Sequence, residues 1–252
     1  MIDLHTHILP GLDDGARTLT ESVSMARDAV ADGIQLLAAT PHVREDYPTR
    51  ASEMEDGVAE LREALAAEGV KLDVRTGGEI ALDRLALLEP EELARFGLAS
   101  NPNYVLLEFP YYGWPLGLPS QLIDLGRRGV TAVVAHPERN VDVQTAPKRM
   151  QETVDQGALV QLTSASIDGR LGRRSQNAAF RLLELELAHL VASDAHAPDV
   201  RSVGMSAAAE ALGDVDLARW LTEEVPAAIL DDAPIPERPP SRRRRSRRVF
   251  RR

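Results

Sequence analysis

Short apolar runs alternate with amphipathic stretches along most of the chain. The runs at 1–4, 34–40 (IQLLAAT), 70–76, 104–109 (YVLLEF), 130–135, 158–163 (ALVQLT) and 187–193 are brief and sharply bounded, and they read as strands. Helical patterns fill the intervals. Thr18 and Glu21 have the spacing of a capping box, and a helix follows to about residue 31, with Gly33 as its stop. Ser52 and Glu55 repeat that spacing ahead of a Val58, Leu61, Leu65 stripe closed by Gly69. Further helices are expected at 81–97, where Pro90 opens a second piece, and at 120–128, 148–156, 174–186, 203–212 and 215–229. Strand and helix alternate about seven times, which implies a parallel sheet, either open or closed into a barrel. No G-x-G-x-x-G or G-x-x-x-x-G-K loop follows any strand, which argues against a nucleotide-binding open sheet.

Composition sharpens this picture in three ways. The 252 residues fit one large α/β domain or two small ones, and with only 4% aromatics the core must be built mainly from Leu, Val, Ala and Ile. There is no cysteine, so disulfides, thiolate ligands and thiol nucleophiles are excluded. Charge is unevenly spread. Nine of the 29 basic residues lie from Arg238 onward with no acid among them, so the remaining 20 face all 39 acids and the body carries −19. Such a body is a poor nonspecific binder of nucleic acid. With no leader pattern and no apolar run of membrane length, the chain is expected to be soluble and cytoplasmic. The expected organisation is one domain over 1–230, then a Pro- and Arg-rich tail, disordered from Asp231. A solvated tail is the favoured reading of 231–252, and contact with anionic membrane lipid is the competing one.

The polar residues at the strand ends carry the chemistry. His5 and His7 are two apart at the end of the first run, so a strand turns both imidazoles to one face. A Pro10-Gly11 turn then leads to Asp13 and Asp14. His42, Glu79, Glu108, His136, Asp194 and His196 also fall at or just past the ends of expected strands. That edge is where barrel enzymes place their chemistry. Five of the six histidines obey this placement, while His189 lies within the last strand and reads as structural. Glu108 follows Val105, Leu106 and Leu107, and a carboxylate there needs a partner or a metal. Histidines and carboxylates without cysteine suit several divalent ions, which can lower the pKa of a bridging water to roughly 7 and clamp a phosphoryl group. Arg139 and Arg201 stand beside the ligand motifs and have the fork geometry that phosphate oxygens accept.

The motifs HTHILPGLDDG, TPH, GGE, LLEFP, AHPER and SDAH, in this order, resemble the polymerase-and-histidinol-phosphatase (PHP) superfamily over about residues 1–230. More specifically they are similar to the bacterial manganese-dependent protein-tyrosine phosphatases of capsule and exopolysaccharide loci. The resemblance implies a distorted, TIM-like (β/α)7 barrel with three divalent ions, Mn2+ first, with Fe or Zn as alternatives. It implies one ion held by His5, His7, Glu79 and Asp194, a second by Glu79, Glu108 and His136, and a third by Asp14, His42 and His196. Arg139 and Arg201 would bind phosphate. The implied substrate is phosphotyrosine on a bacterial tyrosine autokinase that controls polysaccharide export. Alternatives are a small-molecule phosphatase of the histidinol-phosphatase kind, a nuclease, which the acidic body disfavours, or a catalytically silent scaffold. The loop Tyr111, Tyr112, Gly113, Trp114 is expected either to touch the substrate ring or to pack over the barrel rim.

Overall fold

The first strand, β1 (Ile2–Thr6), is buried along nearly its whole length, as expected of a strand covered on both faces. The structure, a computed structural model, describes residues 1–197 and 201–240. The remaining strands are β2 (Leu36–Ala39), β3 (His42–Val43), β4 (Asp73–Thr76), β5 (Glu79–Ala81), β6 (Tyr104–Glu108), β7 (Thr131–Ala135), β8 (Leu159–Thr163) and β9 (Leu190–Ala192). All ladders between them are parallel. They form a three-stranded sheet ordered β1-β2-β4 and a six-stranded sheet ordered β3-β5-β6-β7-β8-β9.

Two of the seven expected strands are each followed by a short extra strand beyond their expected end, which is why nine are seen. Pro41, which has no N–H to give a ladder, separates β2 from β3, while its carbonyl accepts the Glu79 N–H at 3.0 Å. Gly77 and Gly78 separate β4 from β5, and a Cβ on Gly78 would lie 2.6 Å from the Phe96 ring. His42 and Glu79 therefore open short strands of their own instead of trailing longer ones. The last strand is tied back to the first: Asp194 N–H donates to His5 O at 2.8 Å and His7 N–H to Ala195 O at 2.8 Å, with a parallel bridge between Thr6 and Ala195. The result is a distorted (β/α)7 arrangement.

Helices occupy the expected intervals, among them Leu19–Ala31, Ala51–Ala67, Leu118–Arg127 and Gly172–Glu184. The cap of the second differs from expectation. Glu53, not Glu55, reaches back to accept the Arg50 N–H at 2.8 Å, so the helix starts one residue before Ser52. The core is Leu, Val, Ala and Ile with Phe96 and Phe109 fully enclosed, as the scarcity of aromatics requires.

The tail does not begin where composition placed it. The expectation of disorder from Asp231 fails for 231–240. Ile235 packs against the core, Trp220 Nε1 donates to Pro236 O at 3.0 Å, and the Arg238 guanidinium donates to Leu183 O at 2.9 Å and Ala188 O at 3.0 Å. Arg238 lies over the Trp220 ring, 5.5 Å from its centroid. Specific carbonyls and one indole thus hold a segment whose composition alone reads as linker. The arginines from Arg242 onward lie outside the described residues. His189 directly precedes β9, and its Nδ1 accepts the Val160 N–H at 3.1 Å, a structural bond.

Candidate active site

His5 ends up fully buried on β1, and His7 lies just beyond it. The two-residue strand period brings their Nε2 atoms within 3.2 Å of each other. The Pro10-Gly11 turn then folds the chain back so tightly that a Cβ on Gly15 would lie 2.0 Å from His7 O. This return positions Asp13, a residue the sequence reading named but did not assign to the site. Its Oδ2 lies 2.7 Å from His7 Nδ1 and accepts the His42 N–H at 3.0 Å. Fixing Nδ1 in this way leaves His7 Nε2 to face the cluster.

Glu79 is the centre of that cluster, and it is fully buried. Its Oε1 lies 2.7 Å from His136 Nε2. Its Oε2 lies 3.0 Å from His42 Nδ1 and 3.3 Å from both His5 Nε2 and His7 Nε2. Despite three imidazole nitrogens at that range, Oε2 has no hydrogen bond, and neither has His42 Nδ1. Ligand atoms fall into four overlapping groups, each within 4.8 Å: His7, Asp14, His42 and His196; His5, Glu79 and His136; His5, His7 and Asp194; and His42, Glu79 and Glu108. All nine residues expected as ligands are in this set. The partition differs from the three expected sets: His7 joins Asp14, His42 and His196; His5 groups both with His7 and Asp194 and with Glu79 and His136; and Glu108 groups with His42 and Glu79 instead of His136. Arg44, a residue the sequence did not single out, donates to Glu108 Oε1 at 3.0 Å.

Two more buried residues went unnoticed in the sequence. Gln161 on β8 sets the His5 ring through a 3.0 Å contact between Oε1 and His5 Nδ1. Asp3 accepts the His5 and Ser193 N–H groups at 3.3 and 2.9 Å, joining the first and last strands. Asp3 lies two residues before His5 in the strand period, which was the available signal. His136 and Asp194 adopt left-handed backbone conformations, with φ of 40° and 51°, at the ends of β7 and β9. Non-glycine residues in this region carry strain, which clusters at functional sites.

Electrostatics follow from this crowding. Burial alone would push Glu79 and Asp194 up, but the neighbouring imidazoles, His5 foremost, hold both carboxyls well below the ordinary range. Burial lowers His42, but Glu79 and Asp14 outweigh it and raise the imidazole to about 9. His196 goes the other way, down to about 4, through burial and the nearby His7. Glu108 is raised by burial and by the Glu79 charge. Ionised carboxylates and imidazoles competing for the same space form a donor set that cations can stabilise in place of protons. Arg139 and Arg201 border the cluster, and both donate to Asp194 Oδ2.

The aromatic loop divides its tasks. The Tyr111 ring stacks on His136 at 5.7 Å and lies under the Arg139 guanidinium at 4.6 Å. Trp114 instead packs edge-on against Phe109 and beneath Arg149, on the body of the domain. Tyr112 is 81% exposed. A cleft of about 550 Å3 opens on the Glu108 side of Tyr111, and one of about 290 Å3 opens on the Arg139 side.

The chain matches the family described as "Capsular polysaccharide synthesis, CpsB/CapC" over residues 1–227. It is 38% identical over 199 residues to the tyrosine-protein phosphatase YwqE of Bacillus subtilis, covering 78% of this chain and 77% of that one. It is 29% identical over 209 residues to the tyrosine-protein phosphatase CpsB of Streptococcus pneumoniae, covering 80% of this chain and 85% of that one. Among solved structures, one from the work on YwqE and CpsB, described as metal-dependent tyrosine phosphatases, superposes with a TM-score of 0.86 at 34% identity, covering 96% of this chain and all of that one. A histidinol phosphate phosphatase of Lactococcus lactis shares the fold, with a TM-score of 0.53 at 10% identity over 94% of this chain and 96% of that one.

Proposed function

The chain belongs to the CpsB/CapC family of capsular polysaccharide synthesis, and on that premise we propose that it is a metal-dependent protein-tyrosine phosphatase. The carrying observation is Glu79 Oε2, a buried carboxylate oxygen facing three imidazole nitrogens within 3.3 Å and hydrogen-bonded to none. Nitrogen and oxygen donors converging at these separations with no hydrogen bond formed between them fit divalent cations. His5, His7, Asp14, His42, Glu79, Glu108, His136, Asp194 and His196 are the proposed ligands, for up to three ions. The mixed nitrogen and oxygen donors without sulfur favour manganese, with iron or zinc as alternatives. Ions held there supply Lewis-acid charge to phosphoryl oxygens and bring the ionisation of water near neutral pH.

The chain's own residues do the rest. Arg139 and Arg201 lie where they can take phosphoryl oxygens, with guanidinium donors that now rest on Asp194. Tyr111, stacked between His136 and Arg139, forms the wall against which a substrate ring can lie. Asp13, Gln161 and Asp3 hold His7, His5 and the strand closure in place. The substrate is taken to be phosphotyrosine in a bacterial tyrosine autokinase that controls capsule or exopolysaccharide synthesis. The cytoplasm is the proposed location, and no helix among the described residues is long and apolar enough to cross a membrane.

The test uses a phosphotyrosine peptide. Chelation should abolish turnover and added manganese should restore it. Thiol alkylation should have no effect, because the chain has no cysteine. Histidinol phosphate should be a poor substrate beside the peptide. Activity that persists in protein shown by elemental analysis to be metal-free overturns the proposal, as does a trapped phospho-enzyme.

A further inference from the structure

The two clefts that meet at Tyr111 differ in charge. The smaller one contains Arg139 and belongs to the phosphate side. The larger one borders Glu108, and the acidic residues Glu45, Asp46 and Asp83 are at its edge. Among the described residues the only base lining it is Arg44, whose charge is already engaged. Arg44 Nη1 donates to Glu108 at 3.0 Å, its Nε lies 2.8 Å from Asp46, and its guanidinium lies over the Tyr47 ring at 5.1 Å. Glu45 and Asp83 are exposed, and neither forms an ion pair among the described residues. The walls between them include Leu82, Pro110 and Pro115. Apolar walls with anions at the mouth suit a side chain that has a methylene stem and a cationic head. The volume, about 550 Å3, is within the range of pockets that enclose a ligand group.

We propose that this cleft is a specificity subsite for a lysine or arginine adjacent to the phosphotyrosine of the substrate. The proposal rests on the phosphatase reading above and adds the substrate's sequence preference. Phosphate is drawn to the Arg139 side of Tyr111 and the neighbouring cation to the Glu45 and Asp83 side. A peptide with that charge order fits both clefts, whereas one with an acid beside the phosphotyrosine meets uncompensated like charge.

The experiment compares phosphotyrosine peptides of one length that carry Lys, Gln or Glu on one side of the phosphotyrosine and then on the other. The enzyme is the full-length, manganese-loaded protein. On at least one side, kcat/KM should fall in the order Lys, Gln, Glu, with a Lys-to-Glu ratio of about three- to tenfold, as expected for partly exposed charge pairs. The ratio should shrink toward unity at high salt. It should collapse in the Glu45→Gln, Asp83→Asn double variant and invert in Glu45→Lys, Asp83→Lys. Because the ratio is internal to each protein, a change in the amount of active enzyme does not move it. A ratio of unity on both sides, or one that survives both double variants, overturns the subsite and leaves the phosphatase reading standing. Failure of the metal-loaded protein to hydrolyse any of the peptides overturns both.

Discussion

Arg139 and Arg201 converge on one atom. Arg139 Nη1 donates to Asp194 Oδ2 at 2.5 Å, and Arg201 Nη1 donates to the same oxygen at 3.3 Å. The other oxygen of Asp194 faces His5 and His7 at 3.5 and 3.4 Å. One carboxylate thus separates a side suited to cations from a side that supplies donors to an anion.

Arg139→Ala and Arg201→Ala should therefore keep bound metal and lose rate. The expected cost is about 2–4 kcal/mol each in the barrier, as for other preorganised donors. Turnover measured beside metal content separates this from loss of the centre. A variant that loses metal in proportion to rate would mean the arginine acts through Asp194.

His136→Ala should lose bound metal and activity while keeping the fold. His136 emerges from β7 with φ of 40° and directs Nε2 to Glu79 at 2.7 Å. Elemental analysis of the purified variant decides the matter, and an unchanged metal content rules out the assignment.

Asp13→Asn tests a residue that acts through another. The Asp13 carboxylate lies 2.7 Å from His7 Nδ1. Losing its charge should weaken metal affinity about 10- to 100-fold, as seen when partners behind a ligating histidine are changed. Titration with a competing chelator measures this directly, and an unchanged affinity refutes the role.

Truncation should separate the two parts of the tail. Ending the chain after Pro240 should leave stability and peptide turnover unchanged. Ending it after Glu237 removes Arg238, which donates to two buried-side carbonyls and covers Trp220. That cut should lower stability by about 1–3 kcal/mol, since charged hydrogen bonds are lost. Thermal melts of the two truncations provide the check.

His189 should give an acid-sensitive term. Burial and the nearby Arg238 charge lower its pKa to about 4, from 6.5. The fold favours the neutral ring, so this stability is present above pH 6.5 and is lost as pH falls from 6.5 toward 4. The full difference amounts to about 3 kcal/mol at most. His189→Asn, whose Oδ1 takes the place of Nδ1 as acceptor of the Val160 N–H, should show a smaller loss of stability between pH 7 and pH 4.5 than the parent. Equal losses would show that His189 is not the titrating group.

By itself the sequence determined what depends on neighbours along the chain. The alternation of apolar runs and helical stripes gave seven β/α units, and the two-residue strand period placed His5 and His7 on one face. The polar residues after each run marked one edge of the sheet, and all nine candidate ligands are at that edge. Tertiary structure decided what depends on distance through space. Beyond Pro41 and the Gly77-Gly78 pair the chain adds two short strands that periodicity did not show, where Glu79 N–H bonds to Pro41 O and Phe96 crowds Gly78. Glu108 groups with His42 and is held by Arg44, which reaches it from just past β3, 64 residues earlier in the chain. Gln161 and Asp3 acquire their tasks only once closure of the first strand on the last brings them to His5 and Ser193, and Asp13 acquires its own only once the tight return at Pro10-Gly11 sets it against His7. The segment 231–240 is held by carbonyls and an indole far away in sequence, so its composition could not reveal its order. Periodicity records which way a side chain points, whereas electrostatic and hydrogen-bond partners are chosen by separations of a few ångströms, and only the folded chain sets those.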